Sequence, residues 1–239
     1  MKKIAVIPAR FGATRFPGKL MQRLGTSTVI AATYLATKNT GLFDDVLLAT
    51  DSEVIAHEIK QLRGNVFISK MQHESGSDRI AEAIADLDAD VIVNVQGDMP
   101  FVKREPLQNL LEKFSNKEIQ VASLMEIVED ELLLADPNCV KVCVDNKMNS
   151  LLFSRSIIPY RRSDDANVTY YKHIGVYAFR KEALLQFTSW PVTQLENAEK
   201  LENLRWLENG VAIKMVLSQP MGIDINTPDD LVKAQQLIS

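Results

Sequence analysis

With 239 residues, 27 Lys and Arg against 31 Asp and Glu, and a net charge of −4, the composition is that of an ordinary globular protein, long enough to bury a full core. No apolar run approaches the roughly 20 residues that span a bilayer. The charge is unevenly placed: Met1 to Phe43 contains no acid but carries Lys2, Lys3, Arg10, Arg15, Lys19, Arg23 and Lys38, so this stretch is +7 and the remainder −11.

The apolar run Lys3 to Ile7 ends at Pro8, too short for the core of a signal peptide, and is predicted as a buried first strand. A cytoplasmic protein is expected. A basic, glycine-containing loop follows, "RFGATRFPGK", Arg10 to Lys19. Then come a helix over 28–38, a strand over 45–50, a helix over 53–62, a strand over 65–69, a helix over 78–87 and a strand over 90–98. This alternation predicts βαβ units, a mainly parallel sheet and helices on both faces. Val91 to Val95 lacks polar alternation, as expected of a strand covered on both sides.

From Ile119 the rhythm loosens. "QVASLMEIV", "VKVCVD", "SLLFSR" and "HIGVYAF" predict strands with little helix between them, hence antiparallel or mixed pairing. Cys139 and Cys143, read on one strand, would be about 13 Å apart, too far for a disulfide, so free thiols are expected. Leu195, Ala198, Leu201, Leu204 and Leu207 predict one helix ending at Gly210. A strand in 211–218 and a capped helix from Thr227 close the chain. The expected organisation is a single α/β domain over 1–239, with a β-rich region at about 120–180.

Two constellations carry chemistry. The basic loop lies between the first strand and first helix, where open α/β sheets bind ligands, and its glycines, backbone N–H groups and cations suit phosphate. A solvated basic loop is the plainer alternative. The loop has neither GxGxxG nor GxxxxGK[ST], since Lys19 is followed by Leu20. The second is "VNVQGDMP", where a buried strand runs into a turn carrying Asp98, placed either to hold Mg²⁺ or to form a local turn. "GID", Gly222 to Asp224, offers a second carboxylate, and the following Asn226, Thr227, Asp229 and Asp230 read as a helix start. His57 reads as surface.

Taken in order, "IPARFGATRFPGK", "ATD", "HESGSDR", "VNVQGD", "DPNCVKVCVD", "FSRSIIP", "KHIGVYAFR", "LENAEKLENLR" and "NTPDDL" resemble the 3-deoxy-manno-octulosonate (Kdo) cytidylyltransferases, from Lys3 to Leu231. "RFPGK" and "VQGD" alone point only to sugar nucleotidyltransferases; "SGSDR" and "KHIGVYAFR" narrow the match. The resemblance implies a Rossmann-like nucleotide-diphospho-sugar transferase fold. It also implies that CMP passes from CTP to Kdo with release of pyrophosphate, activating Kdo for lipopolysaccharide synthesis, in a cytoplasmic homodimer that engages neither nucleic acid nor membrane.

By resemblance, Arg10, Arg15 and Lys19 hold the triphosphate, with Pro8 and Ala9 beside them, and Asp98 and Asp224 hold Mg²⁺. Ser75, Gly76, Arg79 and Gln96 line the cytidine pocket. Arg155, Arg162, His173, Tyr177, Glu202 and Asn203, again with Gln96, form the sugar pocket. Three departures stand out: Met99 where the family has Glu, Asn203 where it has Gln, and a two-residue longer "GIDINTPDDL". The last leaves Asp224 or Asn226 as second metal ligand, and charge favours Asp224. The resemblance separates Kdo poorly from 8-amino-Kdo or a sialic acid.

Overall fold

A computed structural model describes residues 1–12, 16–71, 73, 75–163 and 165–238. In chain order it forms β1 (Lys3–Ala9), a 3-10 turn (Lys19–Met21), β2 (Arg23–Leu24), β3 (Ser27–Thr28), α1 (Val29–Asn39), β4 (Asp45–Thr50), α2 (Glu53–Gln61), β5 (Asn65–Ile68), α3 (Gly76–Ile84) and β6 (Val91–Asn94). Then follow α4 (Arg104–Glu112), β7 (Val121–Val128), α5 (Glu131–Ala135), β8 (Lys141–Val144), β9 (Ser150–Ser154), β10 (Tyr170–Arg180) and α6 (Lys181–Ser189). The chain closes with α7 (Gln194–Glu199), α8 (Asn203–Glu208), β11 (Lys214–Leu217) and α9 (Pro228–Gln236).

The main sheet runs β11-β7-β10-β6-β1-β4-β5. β1 pairs in parallel with β4 and β6, Ile4 standing opposite Asp45 on one side and Ile92 on the other. Flanked on both edges and covered on both faces, it can be apolar at every interior position. Ala5, Ile7 and Ala9 face a layer built with α1, α4 and α9, while Ile4 and Val6 face one built with α3, α6 and α8. Ser52, Ser75 and Thr227 cap α2, α3 and α9, each side-chain oxygen accepting a bond from a backbone N–H three residues on.

β10 is antiparallel to both β6 and β7. It therefore joins the parallel half to β7 and β11, which pair in parallel with each other. The region at 120–180 is continuous with the sheet through β7 and β10, and only the β8–β9 hairpin branches from it. Cys139 lies in the turn before β8 rather than on the strand, and both cysteines are free.

The predicted helix over Leu195–Gly210 is two helices. Lys200 takes φ 52° between α7 and α8. The cause is a buried ion pair, Arg205 forking onto Glu196 at 2.5 and 2.7 Å. Nine residues apart on one helix, at about 100° each, these side chains would face opposite ways; the break turns them together. Gly210 does end α8 at positive φ, its N–H bonded to Leu207 O at 2.9 Å. The sequence reading also passed over α4, α5 and α6.

Candidate active site

Beyond the carboxyl ends of β1 and β6, a cavity of about 270 Å³ opens. Of the residues expected to bind nucleotide, Pro8, Arg10, Lys19, Ser75, Gly76, Arg79 and Gln96 all line it, as does the expected metal ligand Asp98. Arg15 lies outside the described residues. Gly18, at φ 67°, makes the left-handed turn that delivers Lys19 to the cavity, a conformation costly for a residue with a Cβ. Ala9 is buried and contributes its carbonyl, which accepts from Arg79 Nη1 at 2.9 Å.

Arg79 itself is buried on α3. Its Nη2 pairs with Asp51 at 2.6 Å, while Nε has no partner among the described residues. A buried guanidinium N–H left unpaired is an available donor for a ligand. Ser75 does two jobs, capping α3 through Asp78 N–H at 3.1 Å while lining the cavity. Gln96 donates to Asn94 Oδ1 on β6 at 3.2 Å and more weakly to Gly175 O on β10 at 3.5 Å, so both strands orient its amide.

Lys19 and Asp98 form an ion pair at the cavity. Asp224 is held near Asp98 by the backbone bond from Ile225 N–H to Asp98 O, 2.9 Å. Burial raises the Asp224 pKa from 3.8 to about 6, and the nearby Asp98 charge adds to the shift, partly opposed by Lys172. Gly222, at φ 109°, lies so close to Phe101 that a Cβ would fall 2.7 Å from it, which fixes the loop carrying Asp224. Asn226 lines the cavity as well. Among the described residues no group of three or more His, Cys, Asp or Glu gathers as a metal cage. Two carboxylates beside an anion-binding cavity suit a hard ion that keeps water and phosphate oxygens as its other ligands. Met99, where a family carboxylate was expected, is buried in the core.

Of the sugar-pocket candidates, four lie on β10 and at the start of α8. His173 and Tyr177, both on β10, lie 5.2 Å apart between ring centroids, in a row of aromatic side chains that continues to Phe153 and Phe179. Burial and the Lys172 charge hold His173 down at about 3, hence neutral, and burial drives the Tyr177 pKa up. Glu202 accepts from Ser77 Oγ at 2.7 Å, which ties α3 at the nucleotide cavity to the start of α8. Glu202 Oε1 and Asn203 Oδ1 are buried without partners among the described residues. Two orphan acceptors side by side call for donors such as sugar hydroxyls.

Two candidates stand apart. The Arg155 guanidinium is bonded to the carbonyls of Glu199, at 2.7 Å, and Pro137, at 2.8 Å, with a longer contact to Lys200 O. Arg162 is exposed on the segment between β9 and β10 and does not line the cavity. The sequence reading gave no role to Asp51, Lys172 or His73. His73 lines the cavity, 2.6 Å from Glu82, and sits within the quoted "HESGSDR"; Asp51 sits within "ATD". Their place in those stretches was the available signal.

A cytidylyltransferase family model matches residues 4–214. Curated 3-deoxy-manno-octulosonate cytidylyltransferases of Flavobacterium johnsoniae and Christiangramia forsetii are 54% and 51% identical to this chain. The alignments span 100% and 99% of it and 99% and 96% of the relatives. The solved CTP complex of a CMP:2-keto-3-deoxy-manno-octonic acid synthetase superposes with a TM-score of 0.95 at 32% identity, covering 100% of this chain and 98% of the other. A 4-diphosphocytidyl-2C-methyl-D-erythritol synthase from Anaerococcus prevotii, at 16% identity and TM-score 0.65, shares the fold. The chain belongs to the 3-deoxy-manno-octulosonate cytidylyltransferase family of nucleotidyltransferases.

Proposed function

We propose that the protein transfers CMP from CTP to the anomeric hydroxyl of Kdo, releasing pyrophosphate and supplying activated Kdo for lipopolysaccharide synthesis. The observation that carries this reading is the Lys19–Asp98 pair lining a cavity with Arg10 and Arg79, with Asp224 near Asp98. Arg10 and Lys19 draw in the triphosphate and offset charge on the departing pyrophosphate. Arg15 joins them by family resemblance. Gln96, Ser75 and the free Arg79 Nε–H present donors and acceptors to the cytosine edge. Glu202, Asn203, Tyr177 and His173 orient the sugar.

Asp98 and Asp224 are the residues that would hold Mg²⁺. When bound there, the ion supplies charge neutralisation at the α-phosphate and lowers the pKa of a coordinated hydroxyl. Lys19 pairs with Asp98 at the cavity. The decisive experiment measures Mg²⁺- and CTP-dependent pyrophosphate release with Kdo, 8-amino-Kdo and a sialic acid. Preference for Kdo is expected; indifference to all three sugars would refute the assignment.

The protein acts as a cytoplasmic homodimer. Free Cys139 and Cys143 suit a reducing compartment. Exposed Leu132, Leu151, Ile157 and Tyr160 concentrate apolar surface around α5, β9 and the segment after it, which pairing with a second copy would cover. A light-scattering mass near 53 kDa, about twice the 26.8 kDa chain, is expected at micromolar concentration; a monomer mass would exclude the dimer.

A further inference from the structure

Ser123 is fully buried on β7, and nothing in the sequence marked it. It faces an irregularity in β10: Leu124 pairs with Ile174 but Ser123 with Tyr177, so Gly175 and Val176 have no counterparts on β7. Such a bulge disrupts the ladder and leaves backbone groups in need of other partners. The Ser123 hydroxyl reaches Val176 O at 2.8 Å and Ile174 O at 3.2 Å. It also lies 2.9 Å from His173 Nε2.

A serine hydroxyl has one proton. Carbonyl oxygens only accept, so that proton is committed to the bulge, and Ser123 Oγ can meet His173 Nε2 only as an acceptor. The ring must therefore carry its hydrogen on Nε2. It is enclosed by Phe153 and Tyr177, and no carboxylate bonds it among the described residues, so the ring is neutral. Nδ1 then holds a lone pair and has no hydrogen-bond partner among the described residues.

We propose that Ser123 is a positioning residue that locks His173 as its Nε2–H tautomer, so that Nδ1 accepts a hydrogen bond from a hydroxyl of the sugar acid. This rests on the proposed function in taking His173 to be a sugar contact. The same bulge that supplies the acceptors for Ser123 lies between His173 and Tyr177, so one hydroxyl sets both the strand irregularity and the ring's polarity.

The test has two arms. Long-range ¹H–¹⁵N spectra of the ¹⁵N-histidine-labelled full-length protein at pH 7.5, with the three histidines assigned through His57→Gln and His73→Gln, read the His173 tautomer directly. An Nε2–H pattern is expected; an Nδ1–H or imidazolium pattern overturns the proposal. In Ser123→Ala the pattern should shift or become a tautomer mixture, and KM for Kdo should rise about tenfold while KM for CTP changes less than twofold. Ser123→Thr, which keeps the hydroxyl, should restore the wild-type spectrum. An unchanged tautomer and an unchanged sugar KM in Ser123→Ala would overturn it, and if that variant does not fold, the wild-type spectrum alone decides. Absence of any Kdo turnover by wild type would strike at the proposed function, while the spectrum would still report on Ser123.

Discussion

The two ends of the site are built by different means. At the phosphate end the working groups sit on turns beyond parallel strands: Arg10 is exposed and Lys19 pairs with Asp98 at a cavity. At the sugar end they sit on an antiparallel strand and a helix start, packed among aromatics, with a neutral histidine and two unpartnered acceptors. Charge on loops can follow a reaction in which charge moves. Buried polar groups cannot relax, so they select a shape and a pattern of hydroxyls, at a desolvation cost already met in folding. Changes at the phosphate end should therefore act on kcat, and those at the sugar end on KM for the sugar.

The largest effect is expected at Asp98. Asp98→Asn removes the anionic member of the Lys19 pair and a ligand placed for the ion, and kcat should fall about a thousandfold or more with the fold retained. Asp224→Asn should follow by a smaller factor, with Asn226→Ala nearly neutral. Steady-state kinetics with circular dichroism as a folding control would check all three. A crippled Asn226→Ala beside an active Asp224→Asn would move the second ligand to position 226, which lines the cavity.

Base selection comes next in size. A site that bonds the cytosine edge leaves buried donors unpaired against a purine, so CTP should exceed ATP or GTP in kcat/KM by about a hundredfold or more. Comparable rates for a purine triphosphate would mean that Ser75, Arg79 and Gln96 do not read the base.

The same contrast explains what could be read from the sequence. The parallel half was legible because β1 and β6 are buried on both faces and announce themselves as apolar runs, and because the loop at Arg10 to Lys19 concentrates charge locally. Most of the residues expected to bind nucleotide line one cavity. The sugar half depends on long-range geometry. The bulge between Ile174 and Tyr177 leaves the alternation of "HIGVYAF" intact, so periodicity cannot reveal it. The break at Lys200 carries no glycine or proline signal, since it is imposed by the Glu196–Arg205 pair. Arg155 was readable as a cation but not as the group that holds the Glu199 and Pro137 carbonyls.

At the sugar end, Tyr177→Phe deletes the hydroxyl proposed to bond the sugar and leaves the ring stacked on Phe179. Loss of a single neutral hydrogen bond is worth about 1 kcal/mol, so KM for Kdo should rise roughly five- to tenfold with kcat and KM for CTP nearly unchanged. A kcat loss of the Asp98 kind would erase the division between the two ends.

The smallest effect concerns stability and tests whether the acidic pair is strained until a cation arrives. Asp224 has its pKa raised from 3.8 to about 6, first by burial and then by Asp98. The folded state thus binds this proton more tightly than the unfolded chain. The stabilisation from the protonated form is complete below about 4 and is lost as pH rises through about 6, at most roughly 3 kcal/mol. Without Mg²⁺, Asp224→Asn, which stays neutral, should therefore melt at higher temperature than wild type at pH 7.5 and close to it at pH 4. Saturating Mg²⁺ should narrow the pH 7.5 gap by stabilising wild type more than the variant, because binding to the folded state adds RT ln(1 + [L]/Kd). Equal stabilisation of both proteins by Mg²⁺ would show that Asp224 does not hold the ion.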